Sequence, residues 1–124
     1  MDLRITGVIR PNPENWWLSH YIGASCLLGI EYQSEVFFKI NILVGGRGED
    51  GCSRLGIIKL KLDISDYSIV KQDISHQPII ELGELGSFDE SGMSYPWYFN
   101  NGGTEFIFYT GWKLNQKTGF ENNL

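Results

Sequence analysis

Hydrophobic and polar residues alternate most cleanly over positions 35–44. Phe38, Ile40, Ile42 and Val44 fall on one side of an extended chain, and Phe37, Lys39, Asn41 and Leu43 on the other. Positions 53–63 repeat the pattern, with Ile58, Leu60 and Leu62 alternating with Lys59 and Lys61, as expected for one buried and one wet face. Between these strands Gly45-Gly46-Arg47-Gly48-Glu49-Asp50-Gly51 reads as a long, flexible hairpin loop. Over 104–110, Phe106, Phe108 and Thr110 alternate with Ile107 and Tyr109. The preceding Asn100-Asn101-Gly102-Gly103 suits the positive φ angles of a tight turn, which makes 94–100 the partner strand. The mostly apolar run 22–30 fits a buried strand or a short helix, and Gly23, Gly29 and its β-branched content favour the strand. Shorter strands are expected at 4–9, 67–72 and 77–82, and polar loops at 83–93 and 113–122. The expected fold class is all-β, built from antiparallel β-meanders.

Two stretches match each other. Phe37 to Arg47 followed by Ser53-Arg54-Leu55-Gly56 resembles Thr104 to Trp112 followed by Asn122-Asn123-Leu124. Each is an aromatic strand, a glycine with a large side chain after it, a polar loop, and a small polar residue two before a leucine. Read as an internal repeat, each unit is a meander of the kind that forms a propeller blade. The first blade would cover about 14–82, and the start of a second 83–124. Blades bury their faces only on one another. The sequence therefore predicts either self-association through open sheet edges or a separate chain that supplies the remaining blades.

Charge narrows the partners. With 15 acidic and 10 basic residues the chain carries a net charge of -5, which argues against nucleic acid and provides no basic patch for an anionic membrane. Neutral ligands such as carbohydrate remain. No apolar run is long enough to span a bilayer, and Met1-Asp2-Leu3-Arg4 does not resemble a signal peptide. A cytoplasmic location with Cys26 and Cys52 reduced is expected. Neither cysteine is spaced with another ligand for a metal, and no glycine loop precedes a helix, so neither metal nor cofactor is expected.

The residues Pro78 to Gly92, Ser94-Tyr95-Pro96-Trp97 and Phe108-Tyr109-Thr110-Gly111-Trp112 resemble the five-bladed β-propeller glycosidase-like proteins, relatives of the arabinanase, levansucrase and invertase group. Ser19-His20 and Gly46-Arg47 through Gly56 fit its first blade. The resemblance runs from about Trp17 onward and spans the first blade and part of the second, about two-fifths of a ring. It implies a protein acting on or binding carbohydrate, and implies fold more firmly than activity.

Glycoside hydrolysis uses two carboxylates flanking the bond. Asp89 and Glu90 are adjacent and point to opposite faces of an extended chain, so they do not form that pair between themselves. Asp89 is the catalytic candidate, and its partner would come from a later blade. By itself the chain is expected to be inactive. His20, Arg47, Glu90, Trp97 and Trp112 are candidates for substrate binding. His20 stands near the place where hydrolytic members of the group carry an aspartate, a departure that counts against hydrolysis. Arg47 offers a planar fork to a hydroxyl or carboxylate, and the tryptophans offer faces for a sugar ring. The plainer alternatives are a turn carboxylate, a packing histidine, a solvated arginine and interblade tryptophans. A non-catalytic carbohydrate-binding or scaffold protein is the second reading, and an unrelated small β-sandwich the third.

Overall fold

Alternation of apolar and polar side chains becomes strand wherever a second strand lies beside it, and seven strands form. In the computed structural model, which describes residues 3–115 and 119–123, they are β1 (Tyr21–Tyr32), β2 (Phe37–Arg47), β3 (Ser53–Asp63), β4 (Ile69–Ile74), β5 (Gly92–Asn101), β6 (Thr104–Asn115) and β7 (Gly119–Asn123). The class is all-β, as the alternation predicts. Among the described residues there is no helix long and apolar enough to cross a membrane.

Pairing divides the strands into two antiparallel meanders. β1 pairs β2, β2 pairs β3 and β3 pairs β4, while β5 pairs β6 and β6 pairs β7. One parallel contact, Ser53 with Gly92, joins the two. The first meander has an apolar cluster on each face. On one face Val44, Ile58, Leu60 and Leu62 pack with Trp17 and Leu18 of the lead-in segment, with Ile9, Phe38, Ile40 and Ile42 around them. On the other, Leu43 and Leu55 pack with Met93 of β5, and Ile107 and Tyr109 of β6 close the cluster. The second meander therefore lies face to face on the first.

The two meanders begin alike, although β1 has a second bulge between Leu27 and Gly29 that β5 lacks. In each, a tandem turn precedes the first strand. The Asn15 and Leu18 amides donate to the Asn12 and Asn15 carbonyls, and the Ser87 and Glu90 amides donate to those of Glu84 and Ser87. The first strand of each then bulges, between Gly23 and Ser25 in β1 and between Ser94 and Trp97 in β5. Each bulge holds a non-glycine residue at positive φ, Ala24 at 34° and Tyr95 at 53°. Registers agree as well: Tyr21 opposite Arg47 corresponds to Gly92 opposite Trp112, and Leu27 opposite Ile42 to Tyr98 opposite Ile107. The sequence match of the two hairpins holds in register too, since Arg47 faces Ser53 and Trp112 faces Asn122.

Several expectations fail for identifiable reasons. Residues 4–9 form no strand; Leu3, Ile5 and Val8 are 91%, 85% and 63% exposed, with no strand beside them. Residues 77–82 reduce to a single bridge between Leu55 and Ile80. Gly45 and Gly46 belong to β2 rather than to a loop, because Trp17 and Leu18 lie where a side chain at Gly46 would stand. Residues 113–122 are not simply a loop: β6 runs on to Asn115 and β7 pairs back onto it.

Candidate functional site

A single transverse row crosses the sheet at the end where β1 and β5 begin. Tyr21 faces Arg47, Arg47 faces Ser53, Ser53 meets Gly92, and Gly92 faces Trp112. Gly92 has no side chain, and the Trp112 ring occupies the space that one would fill. Lying across Gly92, the indole N–H of Trp112 donates to Ser53 Oγ at 2.9 Å, and Ser53 Oγ is 3.2 Å from Ser94 Oγ. These bonds fix the orientation of the ring.

Arg47 is the chemical centre of the row. Its guanidinium carbon is 5.6 Å from the Tyr21 ring centre and 5.9 Å from that of Trp112, so the cation sits between two aromatic faces. Among the described residues it makes no ion pair, whereas Arg54 is held by both oxygens of Asp50 at 3.1 and 2.7 Å. His20 adjoins the row. Its amide donates to the Arg47 carbonyl at 3.0 Å, and its Nδ1 lies 2.9 Å from Ser19 Oγ. Three of the sequence candidates, His20, Arg47 and Trp112, are thus gathered at one strand end.

Asp89 stands in the tandem turn before β5, with 7% of its surface exposed. Its Oδ1 accepts from Ser87 Oγ and its Oδ2 from the Tyr109 hydroxyl, each at 2.8 Å. Burial, and then the bond and charge of Asp89, push the Tyr109 phenol above its ordinary pKa. Gly83 and Gly111 leave room for the Asp89 side chain, since a Cβ at either position would collide with it. The carboxylate is therefore built into the turn and directed at Tyr109. Glu90 turns the other way, accepting from the Gly86 amide within the same loop. Trp97 is not part of the row. It lies on β5 opposite Phe108, roughly 15 Å along the strand from Gly92, and is 67% exposed.

A cavity of about 750 Å³ lies elsewhere, where the seam between the meanders widens between Leu28, Ile57 and Ile107. Four of its polar groups pair with one another, and the exposed Lys59 lines it as well. Tyr98 donates to Glu105 at 2.6 Å and Asn41 to Glu31 at 3.4 Å. The row, where a cation lies against two aromatic rings, is the better candidate site. Tyr21, Ser53 and Ser94 were missed at the sequence level. The strand register that places Tyr21 and Ser53 beside Arg47 was the available signal for those two.

Comparison with known proteins adds little chemistry. The chain is 31% identical over 77 residues to two uncharacterized proteins of Mycobacterium tuberculosis, one from each of two strains. The match covers 62% of this chain, which spans about a quarter (25%) of the length of the curated relatives it matches. No family model matches, and no solved structure matches. Among the described residues, no group of three or more His, Cys, Asp or Glu side chains is gathered as for a metal.

Proposed function

We propose that the two meanders are adjacent blades of a β-propeller and that the row at their strand ends takes carbohydrate. The repeat of tandem turn, positive-φ bulge and register supports the blade reading, because meanders related in this way stack face on face around an axis. The observation that carries the ligand reading is Arg47 held between Tyr21 and Trp112. The exposed Tyr21 ring and the half-buried Trp112 ring suit the apolar face of a sugar, and the guanidinium fork suits a hydroxyl pair or a carboxylate. The protein is placed in the cytoplasm, in polysaccharide metabolism. Titration of the chain with neutral and acidic oligosaccharides tests this reading. Binding lost in both Arg47→Gln and Trp112→Ala is the expected result, and no binding to either class would refute it.

Hydrolysis is the second reading, favoured by Asp89, a carboxylate that is buried and hydrogen-bonded at the entry to β5. In that reading Asp89 is one of the two required groups, and a further blade supplies the other. Release of reducing ends by the completed protein, lost in Asp89→Ala with sugar affinity kept, would establish it. Absence of turnover in the completed wild type leaves the protein a binder.

A further inference from the structure

We propose that the ligand of the Arg47 row is a chain of several sugar units, which leaves the row over Trp16 and ends in a polar hollow beside β4, where its units are uncharged. This rests on the carbohydrate reading of the row and adds the length and the charge of what the row holds.

The row and the hollow open at the same end of the first meander. β1 and β3 begin there and β2 and β4 finish there, since consecutive strands pair antiparallel. The hollow, of about 560 Å³, is lined by the segment that leads into β1, from Asn12 to Trp16, and by the end of β4 with the residues after it, as far as Gln77. A second depression, of about 390 Å³, shares Glu14 and Trp16 with the hollow and reaches Ser19 and Asp50. Ser19 Oγ is 2.9 Å from Nδ1 of His20, whose amide donates to the Arg47 carbonyl. A recess therefore continues from Arg47 past Ser19, across Trp16 and into the hollow. β2 and β4 stand two strand spacings apart, about 10 Å, which is more than a single sugar ring spans.

The hollow suits hydroxyl groups. Its back wall is fixed, since Asn15 is 8% exposed and its amide nitrogen donates to the Ser75 carbonyl at 3.0 Å. Trp16 is 45% exposed, and its indole N–H donates to Gln77 Oε1 at 3.2 Å. Arg54 stands over the Trp16 ring, 4.8 Å from its centre, and so covers one face and leaves the other for a sugar. With Oε1 taken by the indole, Gln77 still offers its amide donors. Gln72 and His76 make no side-chain hydrogen bond among the described residues. Side-chain amides and imidazole each combine donor and acceptor, as a sugar hydroxyl does, whereas an anion uses donors alone. Charge points the same way. Glu14, Glu49, Asp50 and Asp73 line the route, and of these only Asp50 and Asp73 are paired, with Arg54 and Lys71, among the described residues. A carboxylate on the ligand is therefore attracted at Arg47 and repelled beyond Ser19.

Calorimetric titration of the full chain with disaccharides and hexasaccharides of the starch and cellulose series, and with oligogalacturonates of matching length, tests the proposal. Wild type should bind a neutral hexasaccharide at least about 30-fold more tightly than the disaccharide, as expected for linked contacts. Gln72→Ala and Trp16→Ala should each reduce that gain to about fivefold or less, which is what sliding of a long ligand along a short site provides. Arg47→Gln should weaken binding at both lengths. Oligogalacturonates should gain no more than that sliding allowance with length. Both Gln72 and Trp16 are exposed, and circular dichroism checks that the variants fold; Gln72→Ala also leaves the contact between Trp16 and Arg54 in place. A neutral series without a length gain, a gain that both variants keep, or an equal gain for oligogalacturonates would overturn the extension and leave the row standing. Absence of binding by every series would overturn the reading of the row, and the extension with it.

Discussion

Changing Tyr109 to phenylalanine removes a single oxygen and tests whether Asp89 is a built-in part of its turn. The ring should stay where it is, stacked on Phe88 with centroids 5.9 Å apart and planes 16° apart. Asp89 Oδ1 keeps its bond from Ser87, while Oδ2 loses its donor at a residue only 7% exposed. A hydrogen bond to a charged group contributes about 1.5–3 kcal/mol, and a cost of about 2 kcal/mol is expected here. With a urea dependence of about 2 kcal/mol per molar, the unfolding midpoint should fall by about 1 M. The effect also depends on pH. The folded-state pKa of Tyr109 is raised above its unfolded value of about 10, by burial first and by Asp89 second. The associated stability is fully present below pH ~10 and is lost as pH rises through the folded-state value. Wild type should therefore lose stability at alkaline pH in a way that Tyr109→Phe does not, and the gap between them should narrow. An unchanged midpoint, or a gap constant from about pH 8 to about pH 11, would refute the assignment.

Three other substitutions probe the repeat and its lead-in. Gly56→Ala places a methyl group against the Trp17 ring and should cost about 1–3 kcal/mol. In a Trp17→Leu background most of that cost should vanish, and unfolding free energies from urea titration that add within about 0.3 kcal/mol would argue against the contact. Asp50→Asn should destabilise by about 1–2 kcal/mol, since it leaves Arg54 buried beside a half-exposed, neutral partner. The hydrogen bond from Arg54 holds the Asp50 carboxyl below its ordinary pKa. Its contribution is therefore present above about pH 4 and lost as pH falls below that, and wild type and variant should converge in acid. Ala24→Gly relieves a positive φ of 34° and should stabilise by about 0.5 kcal/mol, seen as a higher urea midpoint.

Strand pattern was legible where both faces of a strand have distinct neighbours. β3 follows its expected bounds, and both sides of β2 pack as the alternation implies. Legibility failed where tertiary contacts overrule local preference. The glycines of β2 look like a loop until Trp17 is seen to need the space above Gly46. Residues 4–9 look like a strand until no neighbour is found for them. The hairpin likeness was readable because Gly46-Arg47 and Gly111-Trp112 each place a large side chain after a glycine, in the same register. The bulges were not, since Ala24 and Tyr95 share a backbone conformation and no chemistry. His20, Arg47 and Trp112 were candidates by residue type and resemblance, yet their meeting at one end follows from pairing that no local pattern encodes. Asp89 was a candidate as well, but that its two oxygens are committed to Ser87 and Tyr109 required coordinates.

The β4 edge shapes how such a chain behaves when crowded. β4 leaves register with β3 between Lys61 and Leu62, and its solvent side carries Lys71 and Asp73 in an exposed ion pair at 3.2 Å. A bent, charged rim is a poor template for another backbone, because an incoming strand would have to strip both charges and flatten the bend. Cross-β growth is therefore blocked at this rim, and contact through side-chain surfaces is left as the easier course there. Concentrated solutions should favour finite particles over fibres seeded at this rim, a bias set by the six residues of β4.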